Sequence, residues 1–385
     1  MTRALLGADL LWDGARLSHH ALLVEDGTIL GAVPEGAVPT DAAVERVGPG
    51  LLVPGFIDIH THGAGGAAFN DGTRESAETA LSTLARAGVT TVLPSLITAP
   101  LDDMARAIDA IPASGERLPR VPGVHLEGPF FSPFQVGAQD PDALRVPADG
   151  AADVLLERAA AIRMVSLAPE LPGADELTAR LVDAGIVVAA GHTDGTADDL
   201  ARCQAAGLSH VIHVFSAQST TRRVGPWRVP GMLEATLASD DLTVEMIADG
   251  KHLPPTLMKL AYRSLAGRLC IVSDSTPGAG LPDGSSYRMG GMSYVVESGV
   301  GMTLDRTAFG GSTTLLPSML PVLVETLGLD VADAVAMATE IPARAARLEG
   351  VGRLAEGFAA DLALLDEGLR VTRVALGGRW LDSSV

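Results

Sequence analysis

Short apolar runs recur through the middle of the chain, and helical stretches lie between them. The runs that we predict as strands are 56–62, 89–96, 121–127, 163–170, 186–192, 209–215, 243–249 and 269–274. Two intervening stretches, 76–88 and 174–185, repeat apolar residues with the helical period and end at Gly88 and Gly185, where a left-handed glycine commonly closes a helix. Eight strands that alternate with helices predict a (β/α)8 barrel.

The two ends of the chain follow another pattern. Residues 1–50 and 350–385 contain short alternating runs separated by Gly and Asp turns, which is typical of β-strands. We therefore predict a small β-sandwich domain formed from both ends and a catalytic (β/α)8 barrel over 51–349. The glycines in 276–286 and 289–293 lack the strand–GxGxxG–helix context of a phosphate loop, so a hairpin after the eighth strand is predicted there.

Composition and charge exclude several classes of protein. Hydrophobic residues make up 47% of the 385 positions, which supports a sizeable core, and the net charge of −19 leaves no basic footprint for nucleic acid. No apolar run reaches the roughly 18 residues that span a bilayer, and Asp9 and Asp13 interrupt any signal-peptide core. We expect a cytoplasmic protein with neither a nucleic-acid nor a membrane partner. Cys203 and Cys270 are expected to be buried thiols.

The candidate chemistry lies at the ends of the predicted strands. The first strand ends with His60 and His62, and later strands end with Glu127, His192, His213 and Asp274. Because the carboxyl ends of barrel strands meet at one mouth, we expect these side chains to gather in one pocket. His60 and His62 are two positions apart on a strand and point the same way, as a pair of zinc ligands would.

Six potential ligands exceed the four that one zinc ion needs. Either two metals are bound, with Glu127 bridging them, or one metal is bound beside spare catalytic groups; we favour two. The chain has only two lysines, Lys251 and Lys259, and neither lies in a predicted strand. A carboxylated lysine therefore cannot bridge the metals, and Glu127 must supply the carboxylate. Zinc is the expected ion, with iron, cobalt and manganese as alternatives.

Seven segments resemble, in the same order, the N-acetylglucosamine-6-phosphate deacetylases of the amidohydrolase superfamily. They are PGFIDIHTHG, GVHLEGPF, APE (168–170), GHTDGT, HVFSAQ, DGKH (249–252) and VSDS (272–275). The resemblance covers essentially the whole chain. It implies hydrolysis of the N-acetyl amide of a small amino-sugar substrate, N-acetylglucosamine 6-phosphate, to glucosamine 6-phosphate and acetate.

The resemblance also implies roles for single residues. The principal metal would be held by Glu127, His192 and His213, and a second metal by His60 and His62. Asp274 would be the catalytic base and then acid, and it also belongs to the metal-site set. His252 would contact the substrate near the scissile amide. Arg228 would bind the sugar phosphate in the neighbouring subunit's site, which implies a homodimer.

The sequence departs from the family's pattern on segments that would face the substrate. The family's His-x-x-Asn-Ala-Met reads His213-Val-Phe-Ser216-Ala217-Gln218, its Gly-Ala-His ends in Gln139, and its Leu-Ala-Gly-Ser reads Phe309-Gly310-Gly311-Ser312. Ser216, Ala217, Gln139 and Gly311 are thus expected at the substrate. The departures indicate either a shifted specificity, for another N-acetyl amino sugar, its phosphate or an N-acyl amino acid, or neutral variation.

Three smaller predictions concern neighbours of the site. His125 is two residues before Glu127 and is expected to support the site without binding metal. His210 is three residues before His213 and is expected on the opposite face, against a helix. Arg222 and Arg223 either add to phosphate binding or belong to an ordinary solvated loop.

A deaminase, or a non-catalytic protein that keeps the fold, is the alternative class of function.

Overall fold

A computed structural model describes residues 1–112, 115 and 117–381. Eight parallel strands form its central sheet: β1 (Phe56–Thr61), β2 (Val89–Ile97), β3 (Val124–Glu127), β4 (Ile162–Leu167), β5 (Val187–Ala190), β6 (His210–Val211), β7 (Thr243–Ile247) and β8 (Leu269–Val272). Each strand pairs with the next one in the chain. Beyond β8, Asp274 N donates to His60 O at 2.9 Å and His62 N donates to Ser275 O at 2.7 Å, so β8 meets β1. The predicted barrel is confirmed.

The barrel strands are buried on both faces, which explains their continuous apolar runs. All nine residues of β2 are buried. The α-helices are Arg74–Ala87, Leu101–Ala110, Ala151–Leu156, Ala174–Asp183, Ala197–Ala205, Met232–Ala238, Pro255–Ser264, Val331–Met337 and Glu340–Ala345. The first helix begins at Thr73, whose side chain accepts from Ser76 N, and ends at Gly88, whose φ of 113° is the predicted left-handed stop.

Both ends of the chain build two further sheets. One contains, in order, Thr28–Pro34, His20–Glu25, Arg3–Leu6 and Ala43–Arg46; the other contains Arg379–Trp380, Val371–Leu376, Leu362–Leu365, Leu51–Pro54, Asp9–Trp12 and Ala15–Leu17. Leu5 and Leu22 of the first sheet pack with Leu52 and Leu362 of the second in one core. The predicted sandwich from both ends is confirmed, while the domain boundaries at 50/51 and 349/350 stay a prediction.

The segment after β8 forms an antiparallel sheet of Ser286–Met289, Met292–Glu297, Val300–Thr303 and Phe309–Ser312. The predicted hairpin is confirmed: Gly290 and Gly291 form its turn with φ of 55° and 88°, a conformation that favours glycine at both positions. Two-stranded ribbons pair Gly63–Ala64 with Ala67–Ala68, and Arg222–Val224 with Trp227–Val229. Among the described residues, no helix combines the length and apolar character needed to cross a bilayer.

Candidate active site

The six predicted ligands lie together at the carboxyl end of the barrel. Glu127, the last residue of β3, is at the centre: its Oε1 is 3.1 Å from His192 Nε2 and 3.0 Å from His213 Nε2. The same oxygen is 3.5 Å from His60 Nε2, and Oε2 is 3.5 Å from His62 Nε2. Glu127 thus belongs to two groups, which we name the HxH triad (His60, His62, Glu127) and the strand-5/6 triad (Glu127, His192, His213).

Asp274 lies on the side of the HxH triad. Its Oδ1 is 3.1 Å from His62 Nε2 and 3.8 Å from His60 Nε2. Asp274, His192 and His213 each follow a strand end with a left-handed backbone, at φ of 45°, 44° and 25°. Non-glycine residues rarely adopt this conformation, and its occurrence at three positions of one pocket is typical of a functional site.

Three imidazoles are oriented through Nδ1. His62 Nδ1 lies 3.1 Å from Ser95 O, and His192 Nδ1 lies 2.9 Å from Gln135 O. The Nδ1 of His60 lies 2.8 Å from Oε2 of Glu245. Because a carbonyl or a carboxylate only accepts, each Nδ1 carries the hydrogen and each Nε2 faces the cluster.

The Nε2 atom of His60 is buried and has no hydrogen-bond partner among the described residues. A buried polar atom without a partner costs about 1–3 kcal/mol, and a metal ion would satisfy it. Neutral imidazole nitrogens and carboxylate oxygens, with outer hydrogen bonds on three of the four imidazoles, are the donor set of a divalent metal site. The side chains that are present therefore fit such an ion.

The carboxylates of the cluster are held ionised. Burial opposes the ionisation of Glu127, but the imidazoles of His192, His213 and His60 around it outweigh burial and hold the pKa well below its usual range. Burial likewise raises the pKa of Asp274, and the neighbouring imidazoles of His62 and His60 bring it below its usual value. Both groups are thus anionic at neutral pH, as metal ligation and proton acceptance require.

A pocket opens over this cluster. It is lined by most of the predicted ligands and by all predicted substrate contacts except one: His62, Glu127, His192, His213, Asp274, Gln139, Ser216, Ala217, His252 and Gly311. The exception is Arg228, which lies on the exposed ribbon and whose Nη1 donates to Pro226 O at 3.0 Å. In its own chain Arg228 does not reach the pocket. Arg222 pairs with Asp194 at the base of the same ribbon.

Gln139 contacts the cluster as well as the pocket. Its Nε2 donates to Glu127 Oε2 at 2.6 Å, and its Oε1 accepts from Thr98 N at 2.8 Å. Both polar atoms of the Gln139 side chain are thereby hydrogen-bonded. The bond to Glu127 uses Oε2, the oxygen that faces away from the strand-5/6 triad. Gln139 was predicted at the substrate; its hydrogen bonds show that it also orients the central carboxylate.

His252 also lines the pocket and is held there by Asp249. The Nδ1 of His252 is 2.8 Å from Asp249 Oδ2, which also accepts from Ser312 Oγ at 3.0 Å. Burial raises the pKa of Asp249, but the hydrogen bond and charge of His252 bring it down to about 2. Asp249 therefore stays ionised, and Nε2 of His252 is the nitrogen available to a ligand. The His252 ring also packs edge-on against Phe309.

Sequence reasoning missed Glu245 and Asp249, although each is an acidic residue in or beside the apolar strand β7. The prediction for His210 was wrong: this residue contacts Glu245 inside the barrel, with Nε2 3.0 Å from Oε1. Strand β6 ends at Val211 and His213 is left-handed, so two-residue alternation does not extend from His210 to His213. His125 is placed as predicted, because Ser95 and Ser166 occupy both its ring nitrogens.

Comparison with known proteins agrees with this site. The amidohydrolase family profile matches residues 51–381. N-acetylgalactosamine-6-phosphate deacetylase of Escherichia coli O157:H7 is 32% identical, over 98% of this chain and 99% of its own length. N-acetylglucosamine-6-phosphate deacetylase of Haemophilus influenzae is 28% identical, over 95% of this chain and 96% of its own.

Solved structures show the same relationship. N-acetylglucosamine-6-phosphate deacetylase from Pasteurella multocida superposes with a TM-score of 0.91 at 26% identity, over 100% of both chains. A variant of the Mycobacterium smegmatis enzyme in complex with N-acetyl-D-glucosamine 6-phosphate gives 0.89 at 32% identity, over 98% of this chain and 99% of that one. The chain belongs to the amidohydrolase family and is a hydrolase of carbon–nitrogen bonds. Within that family it groups with the amino-sugar-6-phosphate deacetylases.

Proposed function

We propose that the protein hydrolyses the N-acetyl amide of an amino-sugar phosphate, N-acetylglucosamine 6-phosphate first of all, to the free amine and acetate. The gathering of His60, His62, Glu127, His192, His213 and Asp274 in one cluster carries the proposal. A protein that only binds its ligand would not require ionised carboxylates and residues with a left-handed backbone among these imidazoles. Full-length relatives named as amino-sugar-6-phosphate deacetylases support the same reaction.

We propose two divalent ions per subunit, zinc in the first place and iron, cobalt or manganese as alternatives. The HxH triad and the strand-5/6 triad would each hold one, and Glu127 lies between them with an oxygen towards each. When bound, such an ion polarises a carbonyl and lowers the pKa of a bound water towards about 7. The ligand types, imidazole nitrogen and carboxylate oxygen, are those that zinc prefers.

Asp274 moves the proton in this proposal. Its ionised carboxylate, at 3.1 Å from His62 Nε2, accepts a proton from the water whose oxygen bonds to the acetyl carbon. The carbon–nitrogen bond then breaks, and Asp274 returns the proton to the leaving amine nitrogen. His252, fixed by Asp249, orients the carbonyl.

We propose a homodimer in which Arg228 reaches the phosphate of substrate bound in the partner subunit. The ribbon that carries Arg228 is exposed, with the Trp227 side chain 73% accessible, and Arg228 lies outside its own pocket. Arg suits bidentate contacts to phosphate. Because a phosphorylated sugar carries charge and does not cross a bilayer freely, we place the protein in the cytoplasm.

Acetate release tests the proposal. Metal-loaded protein would be given N-acetylglucosamine 6-phosphate, its 2-epimer and 4-epimer, and the three unphosphorylated sugars. Acetate from the first compound supports the proposal. Faster release from an epimer would show a shifted specificity, in line with the departures at Ser216 and Gln139. Protein that binds its metal but releases no acetate from any of these compounds would contradict the proposal.

A further inference from the structure

Glu245 is a charged residue in the interior of the barrel. It lies in the middle of β7, and its side chain has no exposure to solvent. An unpaired carboxylate in such a place would be very costly, so its partners decide what it does. They come from two other strands.

Both oxygens of Glu245 are occupied by groups of the metal cluster or its neighbours. Oε2 accepts from Nδ1 of His60 at 2.8 Å and from the backbone N of His213 at 3.3 Å. Oε1 lies 3.0 Å from Nε2 of His210, whose Nδ1 contacts Thr243 Oγ1 at 2.7 Å. Glu245 therefore touches one residue of the HxH triad and one of the strand-5/6 triad.

The contact with His60 fixes the hydrogen on one particular nitrogen. A carboxylate only accepts, so His60 carries hydrogen on Nδ1 and leaves the lone pair on Nε2. This Nε2 is the buried atom without a hydrogen-bond partner, 3.5 Å from Glu127 Oε1. The imidazoles of His62 and His192 are oriented by backbone carbonyls, whereas His60 is oriented by a charged side chain.

We propose that Glu245 is a positioning residue that makes the HxH triad able to bind a metal, with His210 holding the second oxygen of Glu245 in place. Outer hydrogen bonds to a ligating histidine fix its tautomer and raise its basicity, and their loss costs about 10- to 100-fold in metal affinity. The inference rests on the metal site of the proposed function. Glu245 prepares His60 for the ion and does not itself touch the substrate.

Metal titration of the Glu245→Gln variant tests this inference. Metal-free protein would be titrated with Zn²⁺ in a calorimeter, and bound zinc counted by elemental analysis. The amide of Gln can donate to His60 Nδ1, which would place the hydrogen on Nε2. We expect one of the two zinc ions to bind about 10- to 100-fold more weakly, and the other as in the wild type.

Two variants serve as references. His62→Asn removes a ligand of the same triad and is expected to lose the same ion. Glu45→Gln alters a carboxylate of the terminal β-sandwich that accepts from Arg3, and is expected to bind zinc as the wild type does. Wild-type affinity for both ions in Glu245→Gln, or a wild type whose HxH triad binds no zinc, would overturn the inference.

A second measurement is made on the wild-type protein and needs a variant only to assign the spectrum. In the zinc-loaded wild type, ¹⁵N spectra of labelled histidines are expected to show His60 with a hydrogen on Nδ1 and none on Nε2, assigned from the signals that disappear in His60→Asn. Any other protonation pattern overturns the inference. A wild type that binds both ions but releases no acetate would contradict the proposed function and leave this test intact.

Discussion

The two sides of the pocket differ in how closely they follow the family's pattern. On the metal side, all six residues of the cluster are present, and Glu127 contacts imidazoles from three other strands. On the sugar side, Ser216, Gln139 and Phe309 stand where the family has Asn, His and Leu. Substitution in a cluster of buried, mutually bonded groups leaves other buried groups without partners, whereas a residue that faces the ligand can change with the ligand. The chemistry is thus more firmly fixed than the choice of sugar.

The largest effect is expected for Glu127→Gln, which weakens both triads at once. Losing several kcal/mol of charge stabilisation from the metal site corresponds to a fall in kcat/KM of about a thousandfold or more. Elemental analysis should show that both ions are lost. Glu45→Gln, in the terminal β-sandwich, is the matched control, and full zinc content in Glu127→Gln would contradict the shared role of Glu127.

Asp274→Asn separates proton transfer from metal binding. Loss of a general base and acid is expected to lower kcat about 10²- to 10⁴-fold, while the metal content stays unchanged. Acetate release and elemental analysis on the same sample measure both. Asp240→Asn, at an exposed position, is the control. Undiminished turnover in Asp274→Asn would remove this residue from the mechanism.

His62→Asn removes one half of the cluster only. Because Glu127, His192 and His213 remain, we expect one ion to be lost and kcat to fall by less than in Asp274→Asn. Zinc content and acetate release give the two readouts. Loss of both ions would show that the triads cannot be filled independently.

Gln139 belongs to both the metal side and the sugar side of the pocket, because it stands at a substrate-facing position and contacts Glu127. In Gln139→Ala the Oε2 of Glu127 loses its 2.6 Å donor. An unsatisfied buried acceptor costs about 1–3 kcal/mol, which denaturant unfolding of the metal-free protein should show. Gln135→Ala, on the same loop, is the control. Unchanged stability of Gln139→Ala would make Gln139 a residue of the substrate wall alone.

Ser216→Asn is expected to have the smallest effect and to be confined to the substrate. Asparagine restores a second donor, worth about 0.5–1.5 kcal/mol for a hydrogen bond. KM for the 6-phosphate should therefore fall roughly 2- to 10-fold, with no change for the unphosphorylated sugar. Thr220→Asn, exposed on the same segment, is the control. An equal change with both substrates would show that Ser216 does not face the phosphate.

Much of the fold was predictable from the sequence because barrel strands are buried on both faces and leave continuous apolar runs. All eight strands lie where the runs indicated, and the helix before β2 ends at Gly88. The gathering of the ligands followed from the same rule, since strand ends converge. Periodicity could predict no more than this, because it carries no information on how the backbone turns once a strand has ended.

The remaining features depend on contacts between distant residues. His210 was misplaced because alternation was extended past Val211, where β6 stops. Glu245 gave only one signal, a single acidic residue in an apolar strand, and its partners His60 and His210 lie on other strands. The double contact of Gln139, to Glu127 and Thr98, likewise exists only in three dimensions.

The seam between β1 and β8, where Asp274 N bonds to His60 O, has a consequence for biosynthesis. The earliest and the latest residues of the cluster are neighbours in space but lie at opposite ends of the barrel sequence. While Asp274 is still inside the ribosome, the nascent chain cannot close the barrel beside His60. The barrel is therefore closed late in synthesis, and a chain cut before β8 contains both triads but lacks Asp274.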